Sequence, residues 1–314
     1  LDLARWGAKD AADLAFLDRP PAAAVVEARA LLEGLEALDR NGFLTPHGER
    51  IAAFPLPPRL AHMVIKAAET GQADRAAQIA AILTERSLGG RDADLRHRLD
   101  ALARDRSPRA RDARILAERW ARLAGRGAKG EPLDDGMLLA FAYPERVARA
   151  RGPAGEYQLV SGRGAFLDPT DALAKSPWLA VGELGGGERK DRILLAAPVD
   201  EAGLLQAFAG QLAQETRLET VSGGRLRAKR LTRLGRVVVR EAVDDNPEPG
   251  LIAQALMGQV RAQGLAVLPW GAAAVALRER AAFLRASDDA WPDLSDSRLL
   301  DDLSDWLEPL LGGV

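Results

Sequence analysis

Residues 44–63 have the sequence LTPHGERIAAFPLPPRLAHM, in which closely spaced prolines separate two helical patterns. Thr45 is a typical helix N-cap and Pro46 a typical first helical residue, so a short helix should begin there. Prolines end this helix within a few residues, and the pair Pro57-Pro58 begins a second one. The apolar positions expected to face inward are Ile51, Ala52 and Phe54 in the first helix and Leu60, Met63, Val64 and Ala67 in the second. The pattern predicts a rigid elbow between two helices.

A longer helix precedes this elbow. Pro20-Pro21 opens it, and its apolar positions continue to about Leu38. Asn41-Gly42 then favours a tight turn, with Phe43-Leu44 as the return strand of a small β-wing. Helix, turn, strand and helix in this order resemble a winged-helix domain, residues 1–56, whose first part is missing. A plain helical hairpin is the alternative.

The next stretch, residues 57–125, is helical throughout. Short breaks at Gly71, Gly89-Gly90 and Ser107-Pro108 divide it into four segments. The segments lie near 59–69, 73–86, 92–104 and 108–124. They predict a four-helix bundle, and residues 125–136 after them have the composition of a linker.

The apolar period changes from helical to alternating inside residues 137–243. A helix broken at Pro144 is expected over 137–151, and a second one near 201–213. Strands are expected at 157–160, 164–167, 178–181, 193–196, 216–221, 225–231 and 236–242. These strands predict a small β-barrel that includes all seven. Residues 244–314 then form an acidic helical extension, with helices at 247–264 and 270–286 and one capped by Ser295.

Composition fits a multidomain α+β protein. The chain has 314 residues, 47% hydrophobic and 28% charged, which is enough for roughly two to three domains. It contains no cysteine, so disulfides and thiolate metal sites are excluded. No apolar run approaches the ~20 residues of a membrane span. The sequence starts in a helical pattern without an initiator methionine, and we expect it to be a piece of a longer protein.

The net charge of −2 hides two basic blocks and an acidic tail. Residues 91–126 hold eleven Arg against six acids, and residues 225–240 hold seven Lys or Arg and no acid. From Glu241 to the end, thirteen acids face five Arg. Basic blocks of this kind are typical of surfaces that bind nucleic-acid phosphates.

The candidate nucleic-acid-binding residues follow from these blocks. In the predicted strand near 225–231, cations alternate with Leu226 and Ala228, so they should share one face. The candidates are Arg227, Lys229, Arg230 and Arg233 in and after this strand, Arg163 in the barrel, and Arg96, Arg104 and Arg111 in the bundle, where Arg98, Arg109 and Arg114 could also serve phosphates. Two alternatives stay open. The strand cations could pair with the acidic tail, and the bundle arginines could form an ordinary solvated face.

Motifs for catalysis and for metal binding are missing. A phosphate-binding loop requires G-x-x-x-x-G-K-[ST], and the nearest stretch, residues 182–189, has Glu188 in place of the lysine. There is no Asp-Glu-x-His motif, and the histidines at 47, 62 and 97 fall on separate predicted helices. Asp288, Asp289, Asp293 and Asp296 are explained by capping rather than by a cation. The sequence therefore predicts no catalytic residue, no metal site and no ATP hydrolysis by these 314 residues.

Several long stretches carry a resemblance to a known family. Residues 1–63, which end in LTPHGERIAAFPLPPRLAHM, resemble the region after the motor in DEAH-box RNA helicases of the bacterial HrpB type. Residues 268–285, LPWGAAAVALRERAAFLR, and 291–314, WPDLSDSRLLDDLSDWLEPLLGGV, are similar to the closing segments of that family. The resemblance spans nearly the whole chain and indicates the C-terminal region of such a helicase.

The resemblance implies a fold and a role. It implies a partial winged helix at 1–56 that braces the motor, a ratchet-like bundle at 57–125, an OB-like barrel at 137–243 and the extension at 244–314. It implies an accessory, cytoplasmic half of an ATP-dependent helicase. The implied partners are single-stranded RNA and the motor domains of the same chain, which would hold ATP and Mg²⁺, while this part would hold no cofactor.

Two other classes of protein remain. The first is a stand-alone, non-enzymatic RNA-binding or scaffolding module. The second is a winged-helix transcription regulator, which would need a basic recognition helix. The helix at 45–54 offers only His47 and Arg50, with Glu49 between them, so this hypothesis ranks last.

Overall fold

The computed structural model of the chain describes residues 1–8, 14–85, 87–125, 127, 130–186, 190–221 and 226–311. Three predicted features fall partly outside these ranges. They are the linker, the basic strand at Arg225, and residues 187–189 of the stretch nearest to a phosphate-binding loop. By internal contacts the chain divides into two compact units, Leu1–Leu212 with Leu234–Val237, and Ala213–Arg233 with Val238–Val314. The four sequence-based domains stay a prediction.

The elbow has the predicted form. Helix α3, Pro46–Ala52, begins where Thr45 Oγ1 accepts a hydrogen bond of 2.9 Å from the Gly48 amide. Helix α4, Pro58–Glu69, begins at the second proline of the pair. Gly48 is required by packing, because a Cβ atom there would lie 2.1 Å from the carbonyl oxygen of Ala37. The elbow therefore rests on a cap, a proline pair and one close backbone contact.

The helix and the β-wing before the elbow are both shorter than predicted. A first turn, α1, covers Asp2–Arg5, and helix α2 covers Ala22–Gly34 and ends before Leu38. The predicted β-wing is reduced to a single antiparallel bridge between Leu38 and Leu44, so the return strand is shorter than predicted. Asp39 satisfies the turn locally by accepting hydrogen bonds from the amides of Asn41 and Phe43 at 2.9 Å. The chain then enters the Thr45 cap at once, which leaves no residues for a strand pair.

The four-helix bundle is confirmed. It consists of α4, α5 (Ala73–Thr84), α6 (Leu95–Arg104) and α7 (Pro108–Ala124), and α5 packs against the other three. Helix α4 is buried on nearly all sides from Leu60 to Ala68, as expected for the central helix of a bundle. The Ser107 side chain caps α7 by accepting from the Ala110 amide at 3.2 Å.

A closed five-stranded barrel follows the bundle. Helix α8, Asp135–Ala142, leads into it, and the strand order around the barrel is β1-β2-β3-β5-β4. The strands are β1 (Val147–Ala150), β2 (Glu156–Leu159), β3 (Gly164–Phe166), β4 (Trp178–Gly185) and β5 (Lys190–Pro198). Strands β3 and β5 are parallel, and the other neighbours are antiparallel.

Two sequence-based predictions about the barrel were wrong. The helix predicted over 137–151 breaks near Pro144 as expected, but it does not resume, because Val147–Ala150 pairs as a strand with both β2 and β4. This double pairing closes the barrel without the last three strands. Strands β6 (Leu212–Thr220), β7 (Leu226–Leu234) and β8 (Val237–Val243) instead form a separate sheet in the order β6-β7-β8.

The barrel and the bundle share one unit. The Tyr157 hydroxyl closes the barrel core by donating to the carbonyl oxygens of Leu173 and Ser176, at 2.8 and 2.9 Å. Asp94, at the N-terminus of α6, forms a parallel bridge with Ala196 of β5. Helix α9, Glu201–Ala207, follows the barrel in the same unit and is shorter than the predicted helix at 201–213.

The second unit combines the separate sheet with helices. These are α10 (Pro249–Gln263), α11 (Ala272–Arg285), α12 (Asp296–Asp301), α13 (Leu303–Trp306) and α14 (Glu308–Leu311). Its apolar core includes Met257, Val260, Leu265, Leu303 and Leu307. The Trp270 and Trp306 rings pack beside it, with centroids 6.1 Å apart. The predicted helices of residues 244–314 are therefore present, the last of them split into three short pieces, and they share their unit with the sheet. Among the described residues, no helix combines the length and apolar composition that a membrane span requires.

Candidate nucleic-acid interface

The cations of β7 are mostly held in ion pairs within their own sheet. Lys229 Nζ lies 2.8 Å from Glu219 Oε2 on β6 and 2.7 Å from Glu241 Oε1 on β8. The hydrogen bond from Lys229 lowers the pKa of Glu219, and the two carboxylates raise the pKa of Lys229. The sequence run contains no acid, but the neighbouring strands supply the acids.

Two more β7 cations are paired in the same way. Arg230 Nη2 lies 2.8 Å from Oδ1 of Asp244, a buried carboxylate that also accepts from Thr216 Oγ1 at 3.2 Å. Arg233 Nε lies 2.7 Å from Glu215 Oε2. The pairs Lys229–Glu241 and Arg230–Asp244 agree with the hypothesis that the strand cations pair with the acidic tail.

The cationic face predicted for β7 forms only in part. Ala228, Leu231 and Leu234 are the buried positions of the strand, so the buried residues do not alternate strictly with the cations. Because successive side chains of a strand point to opposite faces, Arg227, Lys229 and Arg233 share one face and Arg230 lies on the other. Arg227 is exposed and forms no ion pair within 4.0 Å among the described residues, although its charge helps to lower the pKa of Glu219.

The bundle arginines divide into structural and exposed groups. Arg96 donates to both carboxylate oxygens of Asp94, the closest contact being 2.6 Å. Arg98 is buried, where it donates to the carbonyl oxygens of Asp92 and Leu194 at 2.6 and 2.9 Å. Arg98 therefore ties α6 to the barrel, and its burial argues against the predicted phosphate contact.

Two other bundle arginines are also held in place. Arg109 pairs with Glu85 at 2.8 Å, and Arg114 Nη1 donates to the carbonyl oxygens of Leu102 and Asp105. These carbonyls stand at the end of α6, where the helix leaves backbone acceptors without partners. Arg114 thus stabilises the turn between α6 and α7, while Arg109 ties α7 to the end of α5.

Arg104 and Arg111 keep their guanidinium groups in solvent. The Arg104 side chain is 83% exposed, and its only ion pair among the described residues is a 4.0 Å contact with Asp100. Arg111, one turn into α7, is exposed and has no ion pair there. Arg106 lies exposed between them and was not singled out from the sequence, although its position in the same basic block is a usable signal. The α6–α7 turn therefore presents three arginines to solvent.

Arg163 lies at the turn between β2 and β3 of the barrel. Its guanidinium is mostly exposed, yet one nitrogen lies 2.9 Å from the buried carboxylate of Asp191. This pair leaves other N–H donors of the guanidinium available, since an arginine carries five.

Sequence reasoning missed a contact between two histidines. His47 Nε2 of α3 lies 2.8 Å from His62 Nδ1 of α4, inside the elbow. Burial lowers the pKa of His62 to about 3 and also lowers that of His47, so both rings are neutral near pH 7. Where the chain is described, there is no group of three or more side chains able to hold a metal ion.

The chain is similar to known helicases. It is 35% identical over its whole length to the "ATP-dependent RNA helicase HrpB" of Escherichia coli, and it spans 38% of that protein. A solved structure of Escherichia coli DEAH/RHA helicase HrpB matches it with a TM-score of 0.68 and 32% identity, over 100% of this chain and 39% of that one. The "Pre-mRNA-splicing factor ATP-dependent RNA helicase prp22" of Schizosaccharomyces pombe is 33% identical over 32% of this chain and 9% of its own.

These comparisons confirm the resemblance to the C-terminal part of HrpB-type helicases. The chain spans well under half the length of the relatives it matches. No protein-family model matches it.

Proposed function

We propose that this chain is the accessory C-terminal half of an ATP-dependent RNA helicase, which guides single-stranded RNA and braces motor domains of the same protein. The observation that carries the proposal is the 35% identity to E. coli HrpB along the whole chain. We place the whole protein in the cytoplasm and infer that ATP and Mg²⁺ bind to its motor domains.

The finer fold assignments belong to the same proposal. A closed five-stranded barrel that contains one parallel pair agrees with an OB-fold, a common platform for single-stranded nucleic acid. The elbow of α3 and α4, after α2, agrees with the partial winged helix. The bundle of α4 to α7 agrees with the ratchet domain implied by the resemblance.

The exposed arginines supply the RNA contacts of this proposal. Arg104 and Arg111 on the α6–α7 turn, and Arg227 on β7, are predicted cations without a short ion pair among the described residues. Phosphate contacts by such side chains release counterions from the RNA, so binding weakens as salt rises. Lys229, Arg230 and Arg233 have carboxylate partners and contribute less.

The test is RNA binding by the 314-residue chain. A fluorescent single-stranded RNA should bind in low salt, and each phosphate contact should add about 0.7 to the slope of log affinity against log salt. The variant Arg104→Gln/Arg111→Gln should bind more weakly and with a smaller slope. A matched control, Arg29→Gln, removes an exposed arginine on α2 and should bind as the parent chain does. If the parent chain fails to bind RNA at low salt, the proposal is wrong.

A further inference from the structure

The first compact unit contains a cleft of about 770 Å³ that lies apart from the candidate cations. Its walls come from the end of α2, from α4, from residues 131–134, and from α8 and α9. A cleft of this volume is large enough to take several side chains of a ligand. Its lining has an apolar floor and a rim of carboxylates, and we call it the acidic cleft.

Hydrogen bonds between distant parts of the chain hold the walls in place. The Gln72 side chain, between α4 and α5, donates to the Leu133 carbonyl oxygen at 2.8 Å and accepts from the Leu133 amide at 2.7 Å. The Asp134 carboxylate accepts from the Met137 amide at the start of α8, at 2.5 Å, and from the Asp200 amide before α9, at 2.9 Å. The cleft is therefore built by the fold, which reduces the ordering cost of binding.

The floor of the acidic cleft is apolar. Met137 and Phe208 are buried, and Phe141 is half-buried. The rings of Phe141 and Phe208 lie with their centroids 6.3 Å apart. A large apolar side chain placed on this floor removes the exposed part of Phe141 from water, which favours binding. The floor therefore suits a ligand with one apolar anchor.

Carboxylates outnumber cations on the rim. The acidic lining residues are Glu36, Glu69, Glu131, Asp134 and Asp200. Lys66 is the one lysine of the lining, and its Nζ lies 3.3 Å from Glu36 Oε2. Glu69 and Glu131 are exposed and form no ion pair within 4.0 Å among the described residues. A rim of this charge repels RNA phosphates and attracts cations.

Glu36 has a backbone conformation that favours glycine. Its φ of +57° is left-handed, and it directly follows the C-cap of α2, where glycine is the usual residue. Backbone contacts fix this helix end, because the Ala37 amide donates to the Leu32 carbonyl oxygen at 2.8 Å and Thr45 Oγ1 donates to the Glu36 carbonyl oxygen at 2.5 Å. The helix end therefore does not need the Glu36 carboxylate, which faces the cleft.

We propose that the acidic cleft docks a basic segment of a partner protein, with one large apolar side chain on the floor and lysine or arginine side chains at the rim. Basic arms of this kind are common on proteins that bind nucleic acids. A polyamine would satisfy the rim but leave the floor uncovered. The inference goes beyond the proposed function, because the docking needs neither RNA nor motor domains.

The test measures binding of a short fluorescent peptide, one phenylalanine between lysines, to the whole 314-residue chain. Phe141→Ala should weaken binding by about tenfold, because the apolar anchor loses its floor. Glu69→Gln/Glu131→Gln should weaken it by about fivefold in low salt and by less in high salt. Glu36→Gly should also weaken binding, while its melting temperature should not fall, since glycine favours this backbone conformation.

Matched controls cover both partners. Glu27→Gln removes an exposed carboxylate on α2 that does not line the cleft, and this variant should bind as the parent chain does. A peptide with alanine in place of phenylalanine should bind more weakly than the original. A peptide with glutamate in place of the lysines should not bind.

Three results would overturn the inference. The first is a parent chain that binds the lysine peptide no better than the glutamate peptide. The second is binding that the Glu36→Gly and Glu69→Gln/Glu131→Gln variants leave unchanged, because the peptide then lies elsewhere. The third is equal binding of the alanine peptide together with full displacement by spermidine, because the cleft then takes small cations.

The two carboxylate variants decide the result if Phe141→Ala melts below the parent chain. RNA binding by the same chain is measured separately, so loss of either activity leaves the other intact and the two proposals fail independently.

Discussion

At the scale of single residues, the position of a carboxylate decides what a cation can do. Arg227 and Arg230 lie three residues apart on β7, yet only Arg230 meets a buried acid, Asp244 at 2.8 Å. Arg98 was expected to reach phosphate and instead holds two backbone carbonyls. Charge counted along the sequence therefore overestimates the number of cations available to RNA.

Arg230→Gln should destabilise the second unit with little effect on RNA affinity. Removing the guanidinium leaves the Asp244 carboxylate buried with Thr216 as its remaining side-chain donor. Because Arg230 is itself half exposed, we expect a loss of about 1–2 kcal/mol in the free energy of unfolding. Urea unfolding measures this loss. Arg227→Gln is the control and should leave stability unchanged. Equal stability of the two variants would contradict the structural role of the Arg230–Asp244 pair.

The histidine pair should make the elbow sensitive to acid. Burial lowers the pKa of His62 from 6.5 to about 3, so between these values the unfolded chain binds more protons than the folded one. The contribution of neutral His62 to the unfolding free energy is fully present above pH 6.5 and is lost as pH falls towards 3. Each such proton can contribute a slope of up to about 1.4 kcal/mol per pH unit.

The measurement compares unfolding free energies at pH 7 and pH 5. The parent chain should lose more stability over this interval than His62→Asn, which has no ring to protonate. His97→Gln is the control, because its hydrogen bond to Asp92 raises the pKa of His97, so its contribution has the opposite sign. A His62→Asn curve parallel to that of the parent would show that the pair does not titrate on unfolding.

At the scale of elements, local chemistry explains what the sequence predicted. Thr45, Ser107 and Ser295 are caps, and their signals lie within a few residues of the helix they start. The four bundle helices were therefore placed to within about three residues at each end. The seven predicted strands also exist, but β4, β5 and β6 extend three to four residues beyond the predicted bounds at one end or more.

Strand partners could not be predicted in the same way. Val147–Ala150 is only four residues long and follows a helical pattern, so nothing local distinguishes it from a helix end. Whether β6 to β8 join the barrel depends on β1 already pairing with β4, a contact between residues about thirty positions apart. The carboxylates on β6 and β8 beside Lys229 depend on such pairings and were missed for the same reason.

Substitution of Gly48 should destabilise the elbow more than substitution of any other glycine near it. Gly48→Ala places a Cβ 2.1 Å from the carbonyl oxygen of Ala37, so backbone must move, at a cost of about 3 kcal/mol in unfolding free energy. Gly34→Ala is the matched control at the end of α2, where a Cβ meets nothing within 4 Å. That variant should be neutral or more stable by about 0.5 kcal/mol. Thermal unfolding compares them, and a neutral Gly48→Ala would contradict the close contact.

At the scale of the whole molecule, we propose that this chain binds RNA and that motor domains of the same protein hydrolyse ATP. The sequence has neither the phosphate-binding loop nor the Asp-Glu-x-His motif, so the purified 314-residue chain should hydrolyse no ATP above background, with or without RNA. A steady-state phosphate-release assay measures this. Hydrolysis that survives repeated purification would show that the chain holds an active site of its own.

The central claim is that this chain serves a helicase motor, and a chimera tests it most directly. The matching C-terminal part of E. coli HrpB would be replaced by these 314 residues, with intact and truncated HrpB as controls. The measurement is ATP hydrolysis as single-stranded RNA is added. We expect RNA to stimulate hydrolysis by the chimera above that of the truncated protein, and Arg104→Gln/Arg111→Gln to reduce the stimulation. A folded chimera whose hydrolysis equals that of the truncated protein at every RNA concentration would contradict the account.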